Sequence, residues 1–368
     1  MPLQPPTSLL RRLAPVAWRS TLTPIAARPL SNVIGVSQTA LRQRRQPPPQ
    51  QQHRYTQCRS SSHSPLSPTA TPTRKKVTIN TLRNLHAAKT PIAMVTAHDF
   101  PSGLAADLAG VDIVLVGDSL AMVALGMEDT NQLTLDAMLH HCRAVSRAVK
   151  SAFLIGDLPM GSYEVSPEQA IQSSIRLIQE GRVHAVKLEG GSELAPTIKR
   201  LTSLGIAVLG HIGLTPQRAS SLGGFRVQGK TLSSAQKLLA DALALQEAGC
   251  FGMVLEAVPA EIAEIVTKEL DVPTIGIGAG AGTSGQVLVQ IDMLGHYPEG
   301  RFMPKFVKRY ANLFEHAKSG MEEYMREVRQ GEYPKKEHTY PIGKEELEAF
   351  KGYMAVRAEK EGKTDGER

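Results

Sequence analysis

No aspartate or glutamate occurs in the first 98 residues of this chain; the first acidic side chain is Asp99. Ten arginines and two lysines precede residue 77, and Pro, Ser, Thr and Gln crowd the same stretch in runs such as PPPQQQ and SSSHSPLSPTATPT. Such a segment holds too little apolar surface to offset the entropy of ordering its chain. Arg-rich, Ser-rich and acid-free is the composition of an organelle presequence. Residues 1–76 are therefore expected to be a disordered mitochondrial presequence, removed on delivery to the matrix. A retained basic arm that binds acidic partners is the other reading of that composition.

Cysteine is scarce as well: Cys58, Cys142 and Cys250 are the only three, and no two form a C-x-x-C pair. Neither a disulfide framework nor a zinc site follows. The single tryptophan, Trp18, falls in the presequence, so the processed protein should have none. No apolar run reaches the ~18 residues that a membrane span requires.

The basic excess is largely a property of the leader. Twelve of the 42 Lys and Arg lie in residues 1–76, and the remaining 30 face all 35 Asp and Glu, which turns a formal +7 into about −5 for the mature part. Without a basic stripe carrying interleaved aromatics, a nucleic-acid partner is not expected.

What the chain does have is alternation. The stretch Val111–Met122, VDIVLVGDSLAM, opens as a strand buried on both faces and stops at Gly117-Asp118-Ser119. Similar runs end near Ala97, Asp157, Glu189, His211, Glu256 and Ile277, and Val287 to Ile291 is the last candidate strand. Helices fit between them. One runs from about Ser102 to Ala109, and another starts at Leu135 with Thr134 as N-cap. A third is opened by Ser166-Pro167 and ends near Gly181. Others fit Glu193 to Leu204, Ser234 to Ala248 and Ala260 to Leu270. Eight strands alternating with helices predict an α/β fold, a closed (β/α)8 TIM barrel over residues 77–330, with an open doubly wound sheet as the structural alternative. Residues 331–368 form a polar extension, read as an appended helix and a disordered end.

In a parallel barrel the carboxyl ends of the strands share one face. Asp118, Asp157, Lys187, Glu189, His211 and Glu256 are thus expected to meet in one cleft. Two aspartates from separate strands suit Mg²⁺, which takes hard oxygen ligands and leaves positions open for water and substrate; the alternative is that each caps the following helix. Lys187 and Glu189 are two apart in a strand and point the same way. They form either an interior ion pair or, through Lys187, a charge-neutralising or Schiff-base amine. His211 is either a satisfied buried imidazole or a substrate contact. Glu256, on an apolar strand, is a candidate general base or a partner for Lys187 or an arginine. The glycines Gly276, Gly278 and Gly280 match a dinucleotide fingerprint only weakly, because no acid ends the next strand, and are read as a close-approach turn at the pocket rim.

Seven ordered motifs, GDSLAM, DLPM, VKLEGG, GHIGLTPQ, LGGFRVQG, LEAVP and IGIGAG, spread from about Pro91 to Lys305, resemble the ketopantoate hydroxymethyltransferase family. The resemblance implies a barrel of the phosphoenolpyruvate mutase and isocitrate lyase type. It implies Mg²⁺ and transfer of a hydroxymethyl group from 5,10-methylenetetrahydrofolate to 3-methyl-2-oxobutanoate through a metal-stabilised enolate. It also implies a homo-oligomer, commonly a decamer. By the same resemblance Asp118 and Asp157 are metal ligands and Glu189 supports the metal's water shell. Ser119, with its neighbouring backbone N–H, binds the substrate carboxylate; Asp118 and Asp157 count also among the substrate-binding residues, Lys187 and His211 contact the oxo acid, and Glu256 is the base. His98 and Met127 depart from the bacterial pattern, which has Tyr and His there. Three alternatives stand beside this reading: another Mg²⁺-dependent carbon–carbon lyase or mutase on the same barrel, a Schiff-base aldolase using Lys187, and an inactive assembly module.

Overall fold

The computed structural model describes residues 74–364, with side chains as far as residue 358. The expected presequence therefore lies outside the described residues except at its last three positions. There Arg74 already holds the carbonyl of Val111 at 2.5 Å and receives the hydroxyl of Ser151 on its own carbonyl at 3.3 Å.

Eight strands close in order into a parallel barrel: β1 Ile92–Thr96, β2 Ile113–Val116, β3 Phe153–Asp157, β4 Ala185–Glu189, β5 Val208–Gly213, β6 Gly252–Glu256, β7 Thr274–Ile277 and β8 Gly285–Leu288. Eleven α-helices accompany them among the described residues. These are α1 Ile79–Ala87, α2 Phe100–Ala109, α3 Leu120–Val123, α4 Leu135–Ala148, α5 Pro167–Gln179, α6 Ala195–Ser203, α7 Leu232–Glu247, α8 Ala260–Lys268, α9 Gln290–Met293, α10 Leu313–Gln330 and α11 Lys344–Thr364. None is long and apolar enough to cross a membrane.

Period-two alternation divides the first six strands between two cores, and β7 and β8 contribute to the inner one alone. One set, including Val114, Val116, Leu154, Val186, Leu188, Val208, Met253 and Leu255, packs outward against the helices. The other, including Ile113, Leu115, Phe153, Ile155, Leu209, Val254 and Ile275, fills the barrel interior, and Leu82 of α1 belongs to it. The filled interior makes the barrel a packed core with its polar end confined to one face.

The helix starts follow their caps. Thr134 accepts from the backbone of Ala137 ahead of α4, and Ser166 accepts from Gln169 ahead of α5, where Pro167 takes the first helical position. Gln169 reaches past the cap residue to the backbone N–H of Val165 instead of closing a capping box on Ser166. Asp107, buried in α2, accepts from the backbone N–H groups of Lys150, Ser151 and Ala152 and so fastens the entry to β3.

Two expectations are corrected at the end of the barrel. The eighth strand is Gly285–Leu288, and Ile291 lies in α9. Gly285 packs where an added Cβ would stand 2.3 Å from the carbonyl of Ile92, so a glycine invisible to a hydrophobic pattern begins the strand. Residues 278–284 connect β7 to β8 without a helix. This run returns along the barrel against α8: a Cβ on Gly280 would meet that of Ala260 at 2.4 Å, and one on Gly282 would meet that of Glu264 at 2.6 Å. The glycines do make a close approach, but Gly280 and Gly282 meet helix α8, while Gly276 and Gly278 approach Thr283 and Phe306.

Candidate active site

Strand register brings the charged residues together. Asp157 pairs with Lys187 across β3 and β4, Glu189 with His211 across β4 and β5, and Gly213 with Glu256 across β5 and β6. Register thus sets the Asp157 and Lys187 side chains together and those of Glu189 and His211 together, while Glu256 faces the backbone of Gly213. Asp118, Asp157, Lys187, Glu189 and His211 are all buried, and Glu256 is partly exposed at the rim.

Asp157 accepts the backbone N–H of Asp118 on Oδ2 at 2.9 Å, which fixes the two aspartates side by side. Neither caps a helix: the N-cap of α3 is Ser119, which makes no side-chain cap, and α5 is capped by Ser166. Lys187 Nζ lies 2.9 Å from Asp157 Oδ1 and 3.6 Å from Glu189 Oε1. His211 stands between two acids, its Nδ1 3.2 Å from Glu189 Oε1 and its Nε2 3.2 Å from Glu256 Oε2, with neither contact aligned as a good hydrogen bond. Asp157 Oδ1 likewise has the ammonium nearby but no aligned hydrogen bond.

The charges shift one another strongly. Burial pushes the Asp118 carboxyl well above its ordinary value, and the neighbouring Glu189 and Asp157 carboxylates push it the same way. Burial alone would pull Lys187 down, yet the Asp157, Glu189 and Asp118 carboxylates outweigh it and raise the ammonium above its usual range. An amine held protonated so firmly is poorly suited to form a Schiff base. Burial also opposes charge on His211, but the adjacent Glu189 carboxylate lifts it to about 9. Glu189 itself, despite burial, is drawn down to about 2 by His211 and Lys187.

Gln217 and Tyr163 complete the cluster, and sequence reasoning assigned neither. Gln217 donates through Nε2 to Asp118 Oδ2 at 2.8 Å, and its backbone N–H donates to Glu189 Oε2 at 3.1 Å. The Tyr163 hydroxyl donates to Gln217 Oε1 at 2.5 Å. Glu189 Oε2 thereby has a backbone donor, while Oε1 faces the Lys187 ammonium and the His211 ring.

The ketopantoate hydroxymethyltransferase profile matches residues 76–336. This chain belongs to the ketopantoate hydroxymethyltransferase family. Its similarity to individual members is high. It is 66% identical over 292 residues to the 3-methyl-2-oxobutanoate hydroxymethyltransferase of Emericella nidulans, covering 79% of this chain and 84% of that one. A protein of the same name from Oleidesulfovibrio alaskensis is 53% identical over 268 residues, covering 72% and 92%. The rice protein named 3-methyl-2-oxobutanoate hydroxymethyltransferase 2, mitochondrial, is 49% identical over 287 residues, covering 77% and 72%. Among solved structures, a 2,3-dimethylmalate lyase of the PEP mutase/isocitrate lyase superfamily aligns at a TM-score of 0.46 and 17% identity over 76% of this chain and 98% of that one, too distant to argue from.

Within this family member, the two departures lie apart from the carboxylate cluster. His98 follows β1, its carbonyl 2.5 Å from His141 Nδ1, and it lines a cavity of about 460 Å³ with His296 and Tyr297. Met127 packs partly buried against the outer core. Ser119 sits between Asp118 and α3, at the turn leaving β2.

Proposed function

We propose that the barrel transfers a hydroxymethyl group from 5,10-methylenetetrahydrofolate to 3-methyl-2-oxobutanoate, giving 2-dehydropantoate for pantothenate synthesis. The observation that carries this reading is the surplus of carboxylate at the barrel mouth. Asp118, Asp157 and Glu189 are buried together around one ammonium, with Glu256 at the rim.

That donor set fits Mg²⁺: hard oxygens, excess negative charge, and a buried Asp157 oxygen without an aligned hydrogen bond. Asp118 and Asp157 would hold the ion, while Glu189, with Oε2 held by the Gln217 backbone and Oε1 facing His211, would act on its water shell. When bound, the ion supplies positive charge to the 2-oxo and carboxylate oxygens of the keto acid, which acidifies its C3–H bond.

The chain's own residues do the rest. The Ser119 hydroxyl and its neighbouring backbone N–H bind the substrate carboxylate. Lys187, kept as an ammonium, offsets negative charge on the keto acid, and protonated His211 contacts the same molecule while holding Glu256 in place. Glu256 removes the C3 proton; water takes the one-carbon unit off the folate at the formaldehyde level, releasing tetrahydrofolate as both C–N bonds break, and the enolate attacks that carbon, whose oxygen takes a proton to become the hydroxyl of the product.

The reaction is tested by product formation from both substrates, followed by NMR. Mg²⁺-dependent appearance of 2-dehydropantoate, abolished by EDTA and restored by added Mg²⁺, is expected; undiminished turnover in EDTA would overturn the metal's role. We further place the mature protein in the mitochondrial matrix. The presequence composition and the rice relative's name support this, and imaging of a C-terminally tagged chain tests it. A homo-oligomer, by family resemblance a decamer, is the proposed assembly, which sedimentation velocity reads directly.

A further inference from the structure

The motif GHIGLTPQ ends in a glutamine that no step above uses. Gln217 lies in the 3-10 turn Pro216–Arg218 after β5, 2% exposed, among groups that come from three other segments. A buried primary amide must place two donors and one acceptor. Here Nε2 donates to Asp118 Oδ2 at 2.8 Å and to the Leu158 carbonyl at 2.9 Å, and Oε1 accepts the Tyr163 hydroxyl at 2.5 Å. A flipped amide would set its oxygen against the Asp118 carboxylate and the Leu158 carbonyl. The network therefore permits one orientation, and Tyr163, 1% exposed, is the donor that helps enforce it. The same residue's backbone N–H binds Glu189 Oε2 at 3.1 Å, so one side chain and its own peptide grip two acids of the cluster.

The chemical consequence concerns Asp118. With Oδ2 committed to Gln217, Oδ1 is the oxygen left for a cation, and the carboxylate cannot rotate without breaking a buried hydrogen bond. A glutamate at this position would instead add another acid to an already crowded set.

We propose that Gln217, oriented by Tyr163, is a positioning residue that holds Asp118 as a one-oxygen ligand and locks Glu189 into the same unit. The inference rests on the divalent-cation reading of Asp118 and Asp157. It goes beyond that reading by assigning the affinity of the site partly to an amide that touches neither metal nor substrate. Groups that orient metal-binding carboxylates commonly change affinity strongly when removed.

The test is Mn²⁺ binding to the full-length chain without substrate, read from the EPR signal of free Mn²⁺. Parent, Asp118→Asn, Gln217→Met and Tyr163→Phe are compared, with circular dichroism and thermal melting on each. Binding by the parent and its loss in Asp118→Asn check the metal reading by itself; if the parent binds no Mn²⁺ there, that reading falls and the clamp has nothing to position. Given binding, Gln217→Met, which keeps the length and removes the donors, is expected to weaken affinity by about tenfold or more. Tyr163→Phe, which removes one hydroxyl, should shift it in the same direction by a smaller factor. A glutamine with a merely structural role would lower the melting temperature and leave Mn²⁺ affinity within about twofold of the parent; that result overturns the proposal. Should Gln217→Met fail to fold, Tyr163→Phe decides on the same scale, and unchanged affinity in that variant overturns it.

Discussion

His211 is caught between Glu189 and Glu256, and its titration has a signed consequence for the metal-free protein. Its pKa rises from 6.5 to about 9, so its contribution to stability is fully present below about 6.5 and is lost as pH climbs through about 9. Glu189, lowered from 4.5 to about 2, contributes above about 4.5 and loses that contribution as pH falls through about 2. The pair therefore stabilises most between those limits. Glu189→Gln should cost about 3–5 kcal/mol near pH 6, because it strands buried cations, and should flatten the decline between pH 6.5 and 9. Urea unfolding across that range checks both, and an unchanged slope would show that Glu189 does not hold the imidazole's proton. At this scale much of the site was legible. Acids ending buried strands, and Lys187 two residues before Glu189, carry their geometry in the sequence. Gln217 does not, since Glu189, Tyr163 and Asp118 lie 28, 54 and 99 positions away and nothing local marks it.

The elements were readable wherever apolar periodicity ran uninterrupted. β2, β3 and β4 are buried throughout and β6 is buried up to Glu256, and α4 and α5 announce themselves through Thr134 and Ser166. The reading slipped at β8, where small residues replace the pattern and steric fit to neighbours decides the start. The helix-free return from β7 depends on the same fit. Gly282→Ala should destabilise by about 1–3 kcal/mol, because its Cβ would meet α8 at backbone distance. Gly161→Ala should cost about 1–2 kcal/mol for a different reason, its left-handed backbone at φ +86° with open space around it. Asparagine separates the two: it should recover part of the loss at Gly161 and deepen it at Gly282. Equal melting temperatures for the two Asn variants would refute this account of the crossover.

On the scale of the whole molecule, the closed barrel gives the site its polarity. An apolar interior leaves one end for charge, and the strands deliver three buried carboxylates there with a fourth at the rim. The alternation of strands and helices made that architecture readable. Seven ordered motifs then located the family, which the profile match over residues 76–336 established. Helix α10 was missed although Leu313, Ala317, Met321, Tyr324 and Val328 recur at helical spacing; that face packs against no core, for the helix has no buried residue and leaves Met321 and Tyr324 exposed. The most direct measurement of the central claim is exchange of the C3 proton of 3-methyl-2-oxobutanoate in D₂O, followed by NMR without any folate. Exchange that requires Mg²⁺ and disappears in Glu256→Gln is the predicted result. Exchange at the parent rate in both EDTA and the Glu256→Gln variant would contradict it.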